Sequence, residues 1–387
     1  MAKLTEPSSA NITRTDHGSW GPSLGLFALA VVSIAVLVVQ FDTFDAVAYP
    51  MHEFGKPMLV ATTENAGSLS GLEKIGSGQL FGAEDIAYES KSGVLYTSCE
   101  DGWIKRVTLN DSLDDSVVEN WVHTGGRPLG IAIADSGDVF VADANKGLLK
   151  ASIDGELELL TDEADGVKFG FTDGVAVAKN GMVYFTDATY KYAAHEGVYD
   201  FLEGRPHGRL LSYDPSTKQT KVLARDLYFA NGVELSSNQD SVIFCETFMR
   251  RCSRYYLQGE KKGSMDVFAN NLPGSPDNIR YDGDGRYWLA IPWDNSFLTK
   301  FMQTYPFVRK ILAFTLKHLH KMPEFMKFGG VIALDLEGKP IGGYYDETWK
   351  MTTSGVKIGE HLYIGSFTKS YILRLDLAQN PLLVATS

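Results

Sequence analysis

An all-β fold, a six-bladed β-propeller with four-stranded blades preceded by one N-terminal transmembrane helix, is what this sequence predicts, on three observations. One phrase recurs: SGVLYTS, GDVFVAD, GMVYFTD, DSVIFCE, GRYWLAI and EHLYIGS each set an aromatic among aliphatics after a Gly or polar turn. The aromatic anchors are Tyr96, Phe140, Tyr184, Phe244, Trp288 and Tyr363, spaced 44, 44, 60, 44 and 75 residues apart. That is one unit repeated six times, with insertions in the third and fifth copies, and a period of about 40–50 residues of short strands marks propeller blades. The third observation is Leu24–Phe41, LGLFALAVVSIAVLVVQF, which carries no charge over 18 residues. It is long enough to cross most of a bilayer and longer than a signal-peptide core.

Composition narrows the function classes. A net charge of −12 argues against nucleic-acid binding, which needs a basic face for the phosphates. The three cysteines, Cys99, Cys245 and Cys252, form no CxxC or Cys/His spacing, so zinc and iron–sulfur sites have no support. Cys245 and Cys252 sit symmetrically about Phe248-Met249 and can face each other across a hairpin, either as a disulfide or as two thiols on neighbouring strands.

Taken in order, residues 1–23 are polar and Ser/Thr-rich and read as a disordered cytosolic tail. Residues 24–41 read as a retained signal anchor; Ala46-Val47-Ala48 fits an A-x-A cleavage site and is the rival reading. Lys3 and Arg14 precede the span and Asp42, Asp45 and Glu53 follow it, which places the N-terminus in the cytosol. The propeller then lies in the lumen of the endomembrane system (ER or vacuole) or outside the plasma membrane. On that topology the sequon Asn110-Asp111-Ser112 is exposed to glycosylation and Asn11-Ile12-Thr13 is not. Residues 42–70 read as a linker and 71–387 as the propeller. The first blade divides into Ile86–Tyr88, Val94–Ser98, Trp103–Leu109 and Glu119–Thr124, with turns such as Glu100-Asp101-Gly102 between strands. The sixth copy ends at its third strand, Tyr371–Leu377, and Gly71–Ile75 resembles the missing outer strand, so the two ends of the chain close the ring.

The insertion Ala188–His207 carries His195 and His207, which read as surface residues. The second, around 297–328, contains FVRKILAFTLKHLHK, with Val308, Ile311, Leu312, Leu316 and Leu319 at helical spacing and Arg309, Lys310, Lys317 and Lys321 off that stripe. Such a basic amphipathic helix packs on the rim, touches the membrane, or forms a lid over the channel mouth.

Registering the six inner strands on their first aliphatic residue places Glu84, Leu129, Asp173, Asn231, Asp277 and Ser354 at one level two residues earlier. Inner strands line the channel, so these positions converge on the axis. Three unpaired carboxylates there raise one another's pKa unless a cation compensates. Oxygen-only ligands favour Ca²⁺ over zinc or copper.

The stretch RRCSRYYLQGEKKGSMDVFANNLPGSPDNIRYDGDGRYWLA, with NGVELS before it and YFTDATYKY and GRLLSYDPSTKQT earlier, resembles the strictosidine synthase-like family from about Leu72 to Leu377. The N-terminal span and second insertion are similar to its adipocyte plasma membrane-associated protein branch. The resemblance implies a propeller of the wider paraoxonase and gluconolactonase superfamily, several of whose members are calcium-dependent hydrolases. It puts metal positions on Glu84, Asn231, Asp277 and Asn278, and a further one at Thr172-Asp173, where the repeat register selects Asp173 and the family alignment Thr172. Two departures narrow the chemistry. Met351-Thr352-Thr353-Ser354-Gly355 holds no carboxylate where true strictosidine synthases place a catalytic Glu, and Leu129 stands where paraoxonase-type enzymes use a His. The expected function is a membrane-anchored, calcium-dependent esterase or lactonase with Asp173 as water-activating carboxylate, and without Pictet–Spengler activity. The alternative is a non-catalytic membrane-tethered binding or scaffold propeller.

Overall fold

The computed structural model describes residues 43–64, 69–109, 116–319 and 329–383, together with residues 25–27, 29–34 and 37. Two compact units result, Met1–Thr43 and Phe44–Ser387. In the first unit the residues described between 25 and 37 are helical, with Leu26, Phe27 and Ile34 exposed. Among the described residues no helix is long and apolar enough to cross a membrane. The tail 1–23, much of the apolar run 24–41 and the sequon Asn110 lie outside the described residues.

In the second unit, six antiparallel sheets form the blades of a propeller. Blade 1 runs Ile86–Glu89, Val94–Ser98, Trp103–Thr108 and Val117–His123, within one or two residues of the boundaries expected from turn chemistry. Every aromatic anchor falls on the second strand of its blade and is buried. Second strands such as Val139–Asp143 and Tyr287–Ile291 are buried throughout, whereas outer strands such as Leu157–Thr161 are mostly exposed. A second strand is covered on both faces by neighbouring blades, so it reads as a continuous apolar run rather than an alternating one.

The cores lie between blades. Tyr96 and Ile104 of blade 1 pack with Ile131, Val139 and Leu149 of blade 2, and equivalent clusters fill the other five junctions. Ring closure is therefore a packing requirement. Leu72–Ile75 supplies it as the outer strand of blade 6, pairing antiparallel with Ile372–Asp376, Leu72 opposite Leu375 and Ile75 opposite Ile372. On blade 4, Cys245 and Cys252 are directly opposite each other and joined in a buried disulfide.

Three expectations are corrected. The stretch 42–70 is not simply a linker: Phe44, Tyr49, Met51 and Phe54 join an apolar cluster over one end of the propeller, and Thr62–Glu64 adds a parallel fifth strand to blade 5. Four large apolar side chains in eleven residues are the cause. His207 is buried, bonded through Nδ1 to Asp200 Oδ1 at 2.8 Å. The second insertion is helical, as its spacing predicts, over Phe297–Thr304 and Pro306–Leu319. Its buried face, however, includes Arg309 and excludes Ile311, which is partly exposed. Arg309 Nε donates to Met302 O at 2.8 Å and Nη1 to Leu202 O at 2.9 Å, each carbonyl in the last turn of a helix. Its Nη2 reaches Val47 O, and its guanidinium stacks over Tyr49. Helix C-terminal carbonyls carry partial negative charge and lack intrahelical donors, which offsets the burial of a cation. One side chain thus ties the 44–54 segment and both insertions into a single cap.

Ile75→Asp, which buries an unpaired carboxylate in the closing strand, is expected to lower stability by about 3 kcal/mol or more in urea denaturation. Val117→Thr on an exposed outer strand should stay within about 0.5 kcal/mol. Equal effects would contradict closure by Leu72–Ile75.

Candidate functional site

The inner strands deliver their first residues to one place. Glu84, Leu129, Asp173, Asn231 and Asp277 all line a single cavity of about 340 Å³ at the capped end of the axis, with Met351 and Thr353 from blade 6. Asn278 stands behind them, fully buried, and its Nδ2 donates to Glu84 Oε1 at 2.7 Å. Ser354 is buried with its hydroxyl oxygen unpartnered.

Two devices hold these positions, and neither was read from the sequence. The first is a set of hydroxyl latches from one blade to the next. Ser98 Oγ donates to Leu129 O, Thr186 Oγ1 to Asn231 O at 2.7 Å, Thr247 Oγ1 to Pro276 O at 2.9 Å, and Thr353 Oγ1 to Glu84 O at 2.7 Å. Each satisfies a buried carbonyl at or beside a channel position, where an unmet acceptor would cost about 1–3 kcal/mol. The second is the acid closing three of the recurring phrases. Asp143, Asp187 and Glu246 accept from the backbone N–H groups of Arg127, Phe171 and Tyr228, pinning the loop that enters the same blade's inner strand. The repeats VFVAD, VYFTD and VIFCE held that signal. Glycine completes the approach: a Cβ on Gly174 would meet Asn231 O at 2.8 Å, and one on Gly232 would meet Asp277 O at 2.4 Å.

The cap forms the far wall. Phe201, Val198 and His195 come from the first insertion, Thr299 and Gln303 from the second, and Phe171, Phe229, Phe248, Trp293 and Phe367 from the blades. His195 is exposed, as expected, but stands at this mouth rather than on a remote surface. Below the cavity the channel is plugged by Arg280, paired with Asp85 and donating to Ile131 O at 3.2 Å and Val233 O at 3.4 Å. Asp85 in turn accepts from Ile86 N at 2.8 Å and Ile131 N at 2.9 Å.

Among the described residues the remaining channel carboxylates, Glu84, Asp173 and Asp277, have no guanidinium or ammonium paired to them. Burial first, then the charges of Asp277, Asp85 and Asp173, hold Glu84 well above the usual carboxylate range. Burial and then Asp173 and Asp85 do the same to Asp277, against a hydrogen bond from Asn231. Asp173 is pushed up to about 8 by burial and Asp85, with Arg127 opposing. Four buried oxygens are left without a hydrogen-bond partner: Glu84 Oε2, Asn231 Oδ1, Asp277 Oδ1 and Asn278 Oδ1. Thr172 Oγ1 is also buried and unpartnered, while Asp173, not Thr172, faces the cavity. Among the described residues no three His, Cys, Asp or Glu side chains group as a metal cluster; the oxygens that converge are two carboxylate and two amide. Unmet acceptors on mixed carboxylate and amide groups, with no nitrogen or sulfur, suit a hard divalent cation. The residues fit Ca²⁺.

A group whose folded-state pKa is raised stabilises the fold fully below its unfolded value, and that stability is lost as pH rises through the folded value. With chelator present, the chain should therefore weaken from about pH 4, the ordinary Asp range, up to about 8, the value to which Asp173 is pushed. Asp173→Asn should flatten that slope in pH-dependent thermal unfolding. An unchanged slope would show that Asp173 does not titrate there.

Comparison with known proteins agrees with this architecture. Residues 173–260 match the strictosidine synthase family model, and residues 65–107 match the model of the strictosidine synthase-like N-terminal region. The chain is 52% identical to the Arabidopsis thaliana protein strictosidine synthase-like 6 over 354 residues, covering 90% of this chain and 93% of that one. It is 30% identical to the adipocyte plasma membrane-associated protein of Danio rerio over 375 residues, 92% of this chain and 90% of the relative. Among solved structures, a Xanthomonas campestris gluconolactonase superposes with a TM-score of 0.57 at 15% identity, covering 86% of this chain and 98% of that one, a likeness of fold. With 52% identity to strictosidine synthase-like 6 across 90% of its length, the chain belongs to the strictosidine synthase-like family.

Proposed function

We propose that the protein is a calcium-dependent hydrolase of apolar esters or lactones. The observation that carries this reading is the set of unpartnered oxygens on Glu84, Asn231 and Asp277, which line a cavity with aromatic walls, together with that of Asn278 behind them. Glu84, Asn231, Asp277 and Asn278 would hold the ion, with Asp173 beside them. When bound, Ca²⁺ supplies positive charge that polarises a carbonyl oxygen. The chain's own residues do the rest. Phe171, Phe229, Phe248 and Trp293 take up the apolar part of a substrate and exclude water. Asp173, which faces the cavity beside these ligands, accepts a proton from the attacking water at its carboxylate. A sugar lactone would leave its hydroxyls facing aromatic rings, so a lipophilic substrate fits better than gluconolactone.

Pictet–Spengler catalysis does not belong to this reading, because Met351 and Thr353 line the cavity where that chemistry needs a carboxylate. One observation favours a second reading, a binding or scaffold propeller: Leu129 occupies the cavity position where paraoxonase-type enzymes use a His. For location we propose a single-pass membrane protein of the endomembrane system or plasma membrane, anchored by 24–41, with the propeller luminal or extracellular and Asn110 glycosylated. The buried Cys245–Cys252 disulfide supports an oxidising compartment.

Full-length protein in nonionic detergent is expected to hydrolyse phenyl acetate and medium-chain lactones faster than gluconolactone. EGTA should abolish turnover, and Asp173→Asn should lower kcat by about 10²-fold or more. A folded protein that binds these ligands without turning any over would favour the scaffold reading.

A further inference from the structure

A second cavity, of about 410 Å³, opens beside the cap. Lys56, Arg250 and Lys300 line it together with Phe54, Asn295 and Gln303, and no carboxylate does. Three cations and no acid around one crevice is an unexpected composition on a chain of net charge −12.

Arg250 is the informative residue. It is 3% exposed. Its Nη1 donates to Leu272 O at 3.0 Å, its guanidinium carbon lies 5.3 Å from the Phe54 ring centroid, and its Nε is buried without a partner. The next residue shows what neutralisation looks like here: Arg251 meets both Glu246 and Glu53 at 2.5 Å. Two other buried arginines also meet acids, Arg209 with Asp187 and Arg280 with Asp85, whereas Arg309 is held by four backbone carbonyls in their place. Burial pushes Arg250 downward with no carboxylate opposing it. A buried cation lacking its counter-charge is costly, and a bound anion supplies that charge. The cavity also presents one unmet acceptor, Asn295 Oδ1, buried without a partner.

We propose that this crevice binds a phosphate group. A hydrogen phosphate or phosphate monoester offers charged acceptor oxygens to Arg250, Lys56 and Lys300, and its P–OH donates to the Asn295 oxygen. Sulfate matches the charge but carries no such proton at neutral pH. The shared chemistry is a phosphate monoester, whether free in solution or carried on a lipid as a phosphatidic acid headgroup. This site is separate from the channel and does not depend on the hydrolase reading. Gln303 lines both cavities and donates to Phe248 O at 2.9 Å, so an occupant would abut the helix that closes the channel mouth.

The test uses full-length protein in nonionic detergent, titrated calorimetrically at constant ionic strength with inorganic phosphate, sulfate and dihexanoyl phosphatidic acid. Lys56 and Lys300 are exposed, so Lys56→Glu and Lys300→Glu leave the fold intact. Phosphate is expected to bind more tightly than sulfate, and each variant should weaken it by about tenfold or more, since a charge-assisted partner becomes a repulsive one. Binding of phosphatidic acid alone, with the same lysine dependence, would assign the lipid-borne source. No binding of either phosphate probe, or binding that both variants leave unchanged, would overturn the proposal.

Discussion

Four carboxylates, Glu84, Asp85, Asp173 and Asp277, lie buried around one axis, and like charges so placed repel strongly in a poorly solvated channel. The fold answers this at the lower end with Arg280, whose guanidinium pairs with Asp85 and touches carbonyls of two further blades. At the upper end no cation is bonded to Glu84, Asp173 or Asp277 among the described residues; Arg127 acts only at a distance. The blades nevertheless fix those groups in place, through the Ser98, Thr186, Thr247 and Thr353 latches and through Asn278 against Glu84. Rigidly held, unneutralised oxygens beneath an apolar vault are what a cation site requires before the cation arrives.

The cap explains why the site is a cavity rather than an open groove. Three segments far apart in sequence, 44–54 and the two insertions, share one apolar cluster, and Arg309 joins all three through carbonyls at helix ends. The segment 44–54 thus packs behind the two insertions that line the channel mouth.

The propeller was legible in the sequence because repetition averages out local noise. Six aromatic anchors, with a gap of 44 residues wherever no insertion intervenes, located six second strands, and the unfinished last copy together with Gly71–Ile75 revealed the closure. The channel set Glu84, Asp173, Asn231 and Asp277 followed from the same register, since equivalent positions on a ring must converge. Asn278 came only with the family resemblance, because it lies one residue past the registered level. What stayed hidden depends on contacts between non-equivalent segments. Nothing in FVRKILAF distinguishes a solvated Arg309 from one buried against two helix ends, and the packing of Tyr49 depends on insertions more than 130 residues away. Arg280 and Asp85 were missed for a different reason: they lie three residues and one residue past the registered ring, where no repeat marks them.

Calcium titration of purified full-length protein tests the account at its centre. One high-affinity Ca²⁺ per chain is expected, with affinity lost in Asn231→Ala and Glu84→Gln, whose folds are checked by circular dichroism, and retained in Leu129→Met. Absence of Ca²⁺ binding in the wild type, or binding indifferent to Asn231 and Glu84, would contradict the assignment of the channel oxygens.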